Sequence, residues 1–272
     1  MHHHPGSAAH EPVHLVAGAS SGIGAAVAAR AAAAGARVAI CGRRPDTLRK
    51  VADDCGATAY VADVTDRTEV EELVAAVVRD YGRLDGIVAN AGVMRPGGVL
   101  DLSDEDWNTT LRTNLTSVFL LARAGLPHLL ASRGAFVTVG SIAGLRAPVG
   151  MSAYAASKAG AAMLTATLAA EFGPRGVRAN TVCPGWTRTE MADEEMREFG
   201  GPLGLGIEES YAEVTALVPQ RRPAEPHEIA DAVLWLLGPQ SSYVNGATLT
   251  VDGGTTVVDP GAVAFDFRVS ER

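Results

Sequence analysis

The chain is short of lysine. Among its 23 basic side chains only Lys50 and Lys158 are lysines, the rest being arginine. Cysteine is scarce too. Cys41, Cys55 and Cys183 form an odd, scattered set with no C-x-x-C pair, which excludes a disulfide framework and a cysteine zinc site. They read as reduced thiols of a cytoplasmic protein, and no other residue cluster suggests a metal. An excess of positive charge is also missing. A net charge of -8 argues against nucleic acid or an anionic membrane as partner. No apolar run reaches the roughly 18 residues that a membrane span needs, and no signal peptide is visible. Internal repeats and low-complexity blocks are absent as well.

What remains is an ordinary globular composition, 47% apolar and 20% charged over 272 residues, which fits one α/β domain better than two. Residues 1–11, with His2, His3 and His4, read as a tail or tag remnant outside the fold. The domain is expected over 12–255, with a second tail at 256–272 whose Phe265 and Phe267 suggest docking on a surface. Short apolar runs alternate with helical patterns: Val13–Ala17, Arg37–Cys41, Ala57–Ala62, Leu84–Ala89, Ala135–Val139, Val177–Cys183 and Thr248–Val251 read as strands. The alternation predicts a doubly wound parallel sheet of the Rossmann type, with helices on both faces. One long helix is expected from about Ser103 to Ser132. Residues 190–219, with four glycines and two prolines, read as an irregular insertion with short helical pieces at most, positioned as a substrate lid.

The first strand runs into Gly18-Ala19-Ser20-Ser21-Gly22-Ile23-Gly24 and then a strong helix former. Strand, glycine-rich turn and helix is the context a dinucleotide requires. The backbone can approach a pyrophosphate there, and the helix start offers N–H groups. After the second strand stand Arg43 and Arg44 where an acid would be expected for a ribose 2′-hydroxyl. Guanidinium suits a 2′-phosphate, so NADP is the expected cofactor and NAD the alternative.

Tyr154 and Lys158 lie four apart in the Ala-rich run from Ala153 to Phe172, on one face of an expected helix. An ammonium beside a phenol favours the phenolate, and lysine offers a movable pKa that arginine does not. Ser141 follows the Ala135 strand, at the sheet edge where open α/β sheets bind ligands. Asn114 is a poor interior helix residue and reads either as a satisfied core amide or as a local break that holds a water.

Gly18-x-x-x-Gly22-x-Gly24, Asn90-Ala91-Gly92, Asn114, Ser141, Tyr154-x-x-x-Lys158 and Pro184-Gly185 with Thr189 together resemble the short-chain dehydrogenase/reductase family. The likeness runs from about Val13 to Gly254. The segment 219–254 is similar to that of 3-oxoacyl-carrier-protein reductases and polyketide ketoreductases. The resemblance implies a catalytic tetrad of Asn114, Ser141, Tyr154 and Lys158. Tyr154 would exchange the proton, Ser141 orient the carbonyl, Lys158 lower the tyrosine pKa and hold ribose, and Asn114 position a water. It implies that Asp63, Val64, Asn90, Ala91, Gly92, Pro184, Gly185, Thr187 and Thr189 help seat the cofactor. It also implies a dimer or tetramer acting on a small carbonyl or alcohol. The family's usual Thr before the first glycine is Ala17 here, its second Asn is Ala89, and a basic residue common in NADP users is Ser21. Met94, Arg146, Val149, Trp186 and Met191 are expected to line the substrate pocket, a mix suited to a largely apolar ketone. A non-catalytic NADP-binding regulator is the contrasting reading.

Overall fold

The computed structural model describes residues 11–265, so Phe267 lies outside the described residues. Seven parallel strands form one sheet in the order β3-β2-β1-β4-β5-β6-β7. They are β1 (Val13–Ala17), β2 (Arg37–Gly42), β3 (Thr58–Val61), β4 (Gly86–Ala89), β5 (Ala135–Val139), β6 (Arg178–Pro184) and β7 (Thr248–Val251). The fold is the α/β arrangement expected from the alternation.

Strand periodicity sorts the core into two layers. Val13, Leu15 and Ala17 of β1 point to one face, covered by α3 (Arg67–Tyr81), α5 (Ser117–Ser132) and α6 (Ser152–Phe172). Val16 points to the other, under α1 (Gly22–Ala33), α2 (Pro45–Cys55) and α9 (Pro226–Leu237). β1, β4 and β5 are buried on both faces, which is why they read as continuous apolar runs without alternation. The strand order reverses between β1 and β4, so their carboxyl ends diverge and leave a crevice.

Two stretches differ from expectation. The helical stretch from 103 to 132 is not uniform: α4 (Asp104–Leu111) passes through a π-helical turn, Arg112–Thr116, before α5. Asn114 sits in that turn. The helix Asp104–Ser132 as a whole is also long and apolar enough, by composition, to span a membrane, contrary to the reading of the runs. Its apolar residues Val118, Leu121, Leu126 and Leu129 pack one face into the core, while Phe119 on another face is exposed.

Residues 190–219, expected to be irregular, are mostly helical. α7 (Glu190–Gly200) is capped by the Thr189 hydroxyl, and α8 (Ile207–Val214) follows a glycine turn. Ala192, Met196 and Tyr211 bury against Trp186, Ile207 and Val214 in a small core of their own. Tyr211 donates to Asp193, and Arg188 holds Glu208 by a bidentate pair while lying over the Tyr211 ring. The glycines obscured this pattern because they fall at the joints between helices, at 200, 201, 204 and 206.

Candidate active site

The crevice at the carboxyl ends of β1 and β4 opens into a cleft of 680 Å³. Its floor is the glycine turn. Gly18 adopts φ +71°, and a Cβ there would lie 2.6 Å from the Ala91 Cα. A Cβ on Gly24 would lie 2.3 Å from the Gly18 carbonyl oxygen. Both positions therefore exclude a side chain, and Asn90 ties the two turns together by donating Nδ2–H to the Gly18 carbonyl at 2.8 Å. Ser21 precedes α1 without capping it; its hydroxyl is turned to Arg44 and Glu190 instead. The turn thus packs backbone closely at a helix start that faces the cleft, a shape that fits a pyrophosphate. The residues present fit a dinucleotide.

At the β2 end, Arg43 stands 3.8 Å from Asp63, and Arg44 pairs with Glu190 at 3.1 Å. All four side chains line the cleft. Glu190 was not singled out from the sequence. It reaches Arg44 only because α7 folds back over the glycine turn, with Thr189 against Gly22.

The other end of the cleft holds the titratable cluster. Ser141 begins just past β5, where its hydroxyl accepts from the Ala143 N–H. Tyr154 and Lys158 project from one face of α6. The Lys158 Nζ lies 5.7 Å from the Tyr154 ring centroid and donates to the Val139 carbonyl at 3.0 Å. Burial dominates both groups. It pushes the Tyr154 phenol up to about 12, partly opposed by the Ser141 hydroxyl, and Lys158 down to about 8. Acidification of the phenol by the lysine, expected from the spacing, is not the leading effect in the protein alone. Desolvation sets the direction, and Lys158 is not among the influences on the phenol.

Asn114 satisfies both readings in part. Its amide donates to the Val93 carbonyl and the Ser157 hydroxyl and accepts from the Val93 N–H, so it is a paired core amide. It also sits at a helix irregularity, and a Cβ on Gly92 would lie 3.5 Å from both Asn114 Oδ1 and Lys158 Nζ. Oδ1 accepts one hydrogen bond here and keeps a second lone pair.

Of the site residues read from the sequence, all but three line this one cleft. Gly24 and Asn114 lie immediately behind its wall. Val149 does not belong to it: the side chain is fully exposed, and the neighbouring Ala147, Pro148 and Met151 face the cleft instead. The loop turns at Gly150, φ +74°, and swings Val149 outward. Arg146 lines the cleft but commits a guanidinium N–H to the Thr256 carbonyl. Met94, Trp186 and Met191 line the cleft. Glu194 and Glu195 also line it and escaped the sequence reading. Their spacing from Met191, i+3 and i+4, was the available signal, and it was hidden by treating the segment as irregular.

Residues 18–256 match a family model described as Enoyl-(Acyl carrier protein) reductase. The chain belongs to the short-chain dehydrogenase/reductase family. It is 41% identical over 255 residues to Protein MoaE of Klebsiella aerogenes, covering 92% of this chain and 98% of that protein. It is 36% identical to the 3-oxoacyl-[acyl-carrier-protein] reductase FabG of Thermotoga maritima, covering 89% and 97%. The crystal structure of a substituted actinorhodin polyketide ketoreductase with NADPH superposes with a TM-score of 0.86 at 36% identity, covering 90% and 97%. The protein is therefore an oxidoreductase of the CH–OH/C=O type that uses a nicotinamide dinucleotide and a small-molecule substrate.

Proposed function

We propose that this enzyme reduces a ketone to a secondary alcohol with NADPH, reversibly, and that Tyr154 is the proton donor. One observation carries the reading. A lysine, a tyrosine and a serine hydroxyl meet in a cleft that also contains the glycine turn at the start of α1. A bound nicotinamide supplies the hydride when it faces the Tyr154 end. The protein's own part is to bind, orient and move one proton. With its pKa up at about 12, Tyr154 is a neutral phenol at pH 7, the form that donates. Ser141 donates to the carbonyl oxygen and holds it beside the phenol. As the phenol gives up its proton, the ammonium beneath its ring stabilises the phenolate. Lys158, at about 8, is still largely charged at neutral pH. The spare lone pair of Asn114 suits it to hold the water that returns the proton.

Gly18, Ser20, Ser21, Gly22 and Ile23 would hold the pyrophosphate, and Asp63 and Val64 the adenine. Asn90, Ala91, Gly92, Pro184, Gly185, Thr187 and Thr189 would seat the nicotinamide half, with Lys158 on its ribose. Arg43 and Arg44 would take the 2′-phosphate, in competition with Asp63 and Glu190. That competition is the specific observation favouring NAD as a second reading, because both guanidiniums already have a carboxylate. The exposed face of α6, with Ala155, Ala159, Ala162 and a Met163 that is 69% exposed, supports assembly as a dimer or tetramer.

Replacing Tyr154 with Phe should lower turnover by about 10³-fold or more while NADPH still binds, read by its fluorescence. Unchanged turnover refutes the proton-donor role. For the coenzyme, kcat/KM with NADPH should exceed that with NADH by about tenfold or more, and Arg43→Asp should reverse the order. A wild-type preference for NADH refutes the phosphate reading.

A further inference from the structure

Most charged side chains around the cleft have partners. Arg95 pairs with Asp106 at 3.6 Å, Arg146 donates to the Thr256 carbonyl, and Arg43 and Arg44 face carboxylates at the cofactor end. The substrate end contains two exceptions among the described residues, Glu194, which is exposed to solvent, and Glu195, which is not. Glu195 lies on α7, one turn after Met191, on the face that lines the cleft. It is half-buried, yet among the described residues it makes no hydrogen bond or ion pair. It lines the same cleft as Tyr154, and its charge adds to the rise of the phenol's pKa. An unpartnered, partly desolvated carboxylate in a substrate pocket is costly unless a ligand completes it.

Resting on the reading that Tyr154 is the proton donor, we propose that Glu195 is a specificity-determining residue that accepts a hydrogen bond from the substrate itself. The preferred substrates are then ketones that carry a second group able to donate, a hydroxyl or an ammonium, on the side of the ring or chain facing α7. Carboxylated ketones are disfavoured by the same charge, because two carboxylates would meet in a pocket whose arginines are engaged elsewhere. Burial, with Glu198 nearby, already pushes Glu195 up to about 7, so a like charge in the pocket would raise it further, while a donor would restore the ionised form.

The test is a matched series of cyclohexanone, 4-hydroxycyclohexanone, 4-aminocyclohexanone and 4-oxocyclohexanecarboxylate, followed by NADPH consumption. Wild type, Glu195→Gln and Glu195→Leu are compared by the ratio of kcat/KM for each substituted ketone to that for the parent. In the wild type the hydroxyl or amino ketone should lead the parent by about tenfold, and the carboxylate should trail it. Glu195→Leu should bring the ratios for the donor ketones to near one. Glu195→Gln, which keeps an acceptor but no charge, separates the two donors: a hydroxyl preference survives it and an ammonium preference does not. Ratios that are the same in wild type and Glu195→Leu, with both proteins folded by circular dichroism, overturn the inference while leaving the carbonyl-reductase reading in place. A wild type that reduces none of the four, although NADPH binds, overturns this inference and leaves the reductase reading to the Tyr154→Phe test.

Discussion

The two ends of the sheet each carry a hollow, and they differ in what lines them. At the amino ends of the strands a hollow of 960 Å³ is lined by His14, Asp85, Arg178 and the turn after α9. The carboxyl-end cleft measures 680 Å³. Both contain a buried base whose pKa burial has lowered, His14 to about 4 and Lys158 to about 8. They differ in how their polar groups are engaged. At the amino end, Arg178 gives its guanidinium to the carbonyls of Leu236, Leu237, Gly238 and Ser241, closing off the end of α9, and Asp85 pairs with Arg83 and the Val13 N–H. Those charges serve the fold. At the carboxyl end Tyr154, Ser141, Lys158 and Glu195 converge on open space. Convergence of groups with free bonding capacity marks the site.

Substitutions at the two ends should therefore separate rate from stability. The largest effect is expected for Lys158→Met. Turnover should fall by about 100-fold or more, measured with saturating NADPH. Stability should move the other way. A lysine whose pKa is about 8 in the native state and 10.5 when unfolded is proton-deficient in the native state between those values. The unfolded chain binds the extra proton there, so native stability rises with pH across that window and is lowest below it. The variant should lack this rise, as urea unfolding at pH 7 and pH 10 would show. If stability changes with pH equally in both proteins, the lysine is not desolvated as described.

The mirror experiment is Arg178→Leu. Removing the cation that closes α9 should cost about 2–3 kcal/mol of unfolding free energy, with kcat of the folded fraction unchanged. A loss of kcat without a loss of stability would break the division between the two ends. The smallest effect belongs to His14, whose Nδ1 is buried without a hydrogen-bond partner among the described residues. It stays neutral in the native state to about pH 4, whereas the unfolded chain takes the proton near 6.5, so stability is lost as pH falls from 6.5 toward 4. His14→Gln should remove about 1–2 kcal/mol of that acid loss at pH 5 and change nothing at pH 8. An identical acid limb in both proteins would show that Asp85 keeps the imidazole charged.

Much of the site was legible before the fold was known, because its residues are local patterns. The Gly18 turn, Arg43 and Arg44, and the four-residue step from Tyr154 to Lys158 each need only a neighbouring strand or helix to be interpreted. Long-range partners were not legible. Glu190 meets Arg44 across 146 positions, and Asn114 meets Ser157 across 43, distances at which no periodicity carries information. Val149 failed for a related reason, since one glycine turn decides which side of a loop faces inward. The segment 190–219 failed because its glycines were read as marks of irregular chain when they are joints between two helices that share a small core.

By itself the order of residues determined the alternation of strands and helices, the glycine cradle and the identity of the titratable groups. Those follow from backbone sterics and from periodicities of two and 3.6, which act within a few residues. Only the tertiary structure decided how those groups behave. Burial, which depends on what packs from elsewhere in the chain, keeps the phenol protonated and makes the ammonium labile. It also leaves the Glu195 carboxylate, partly buried in the cleft, without a hydrogen bond or ion pair among the described residues.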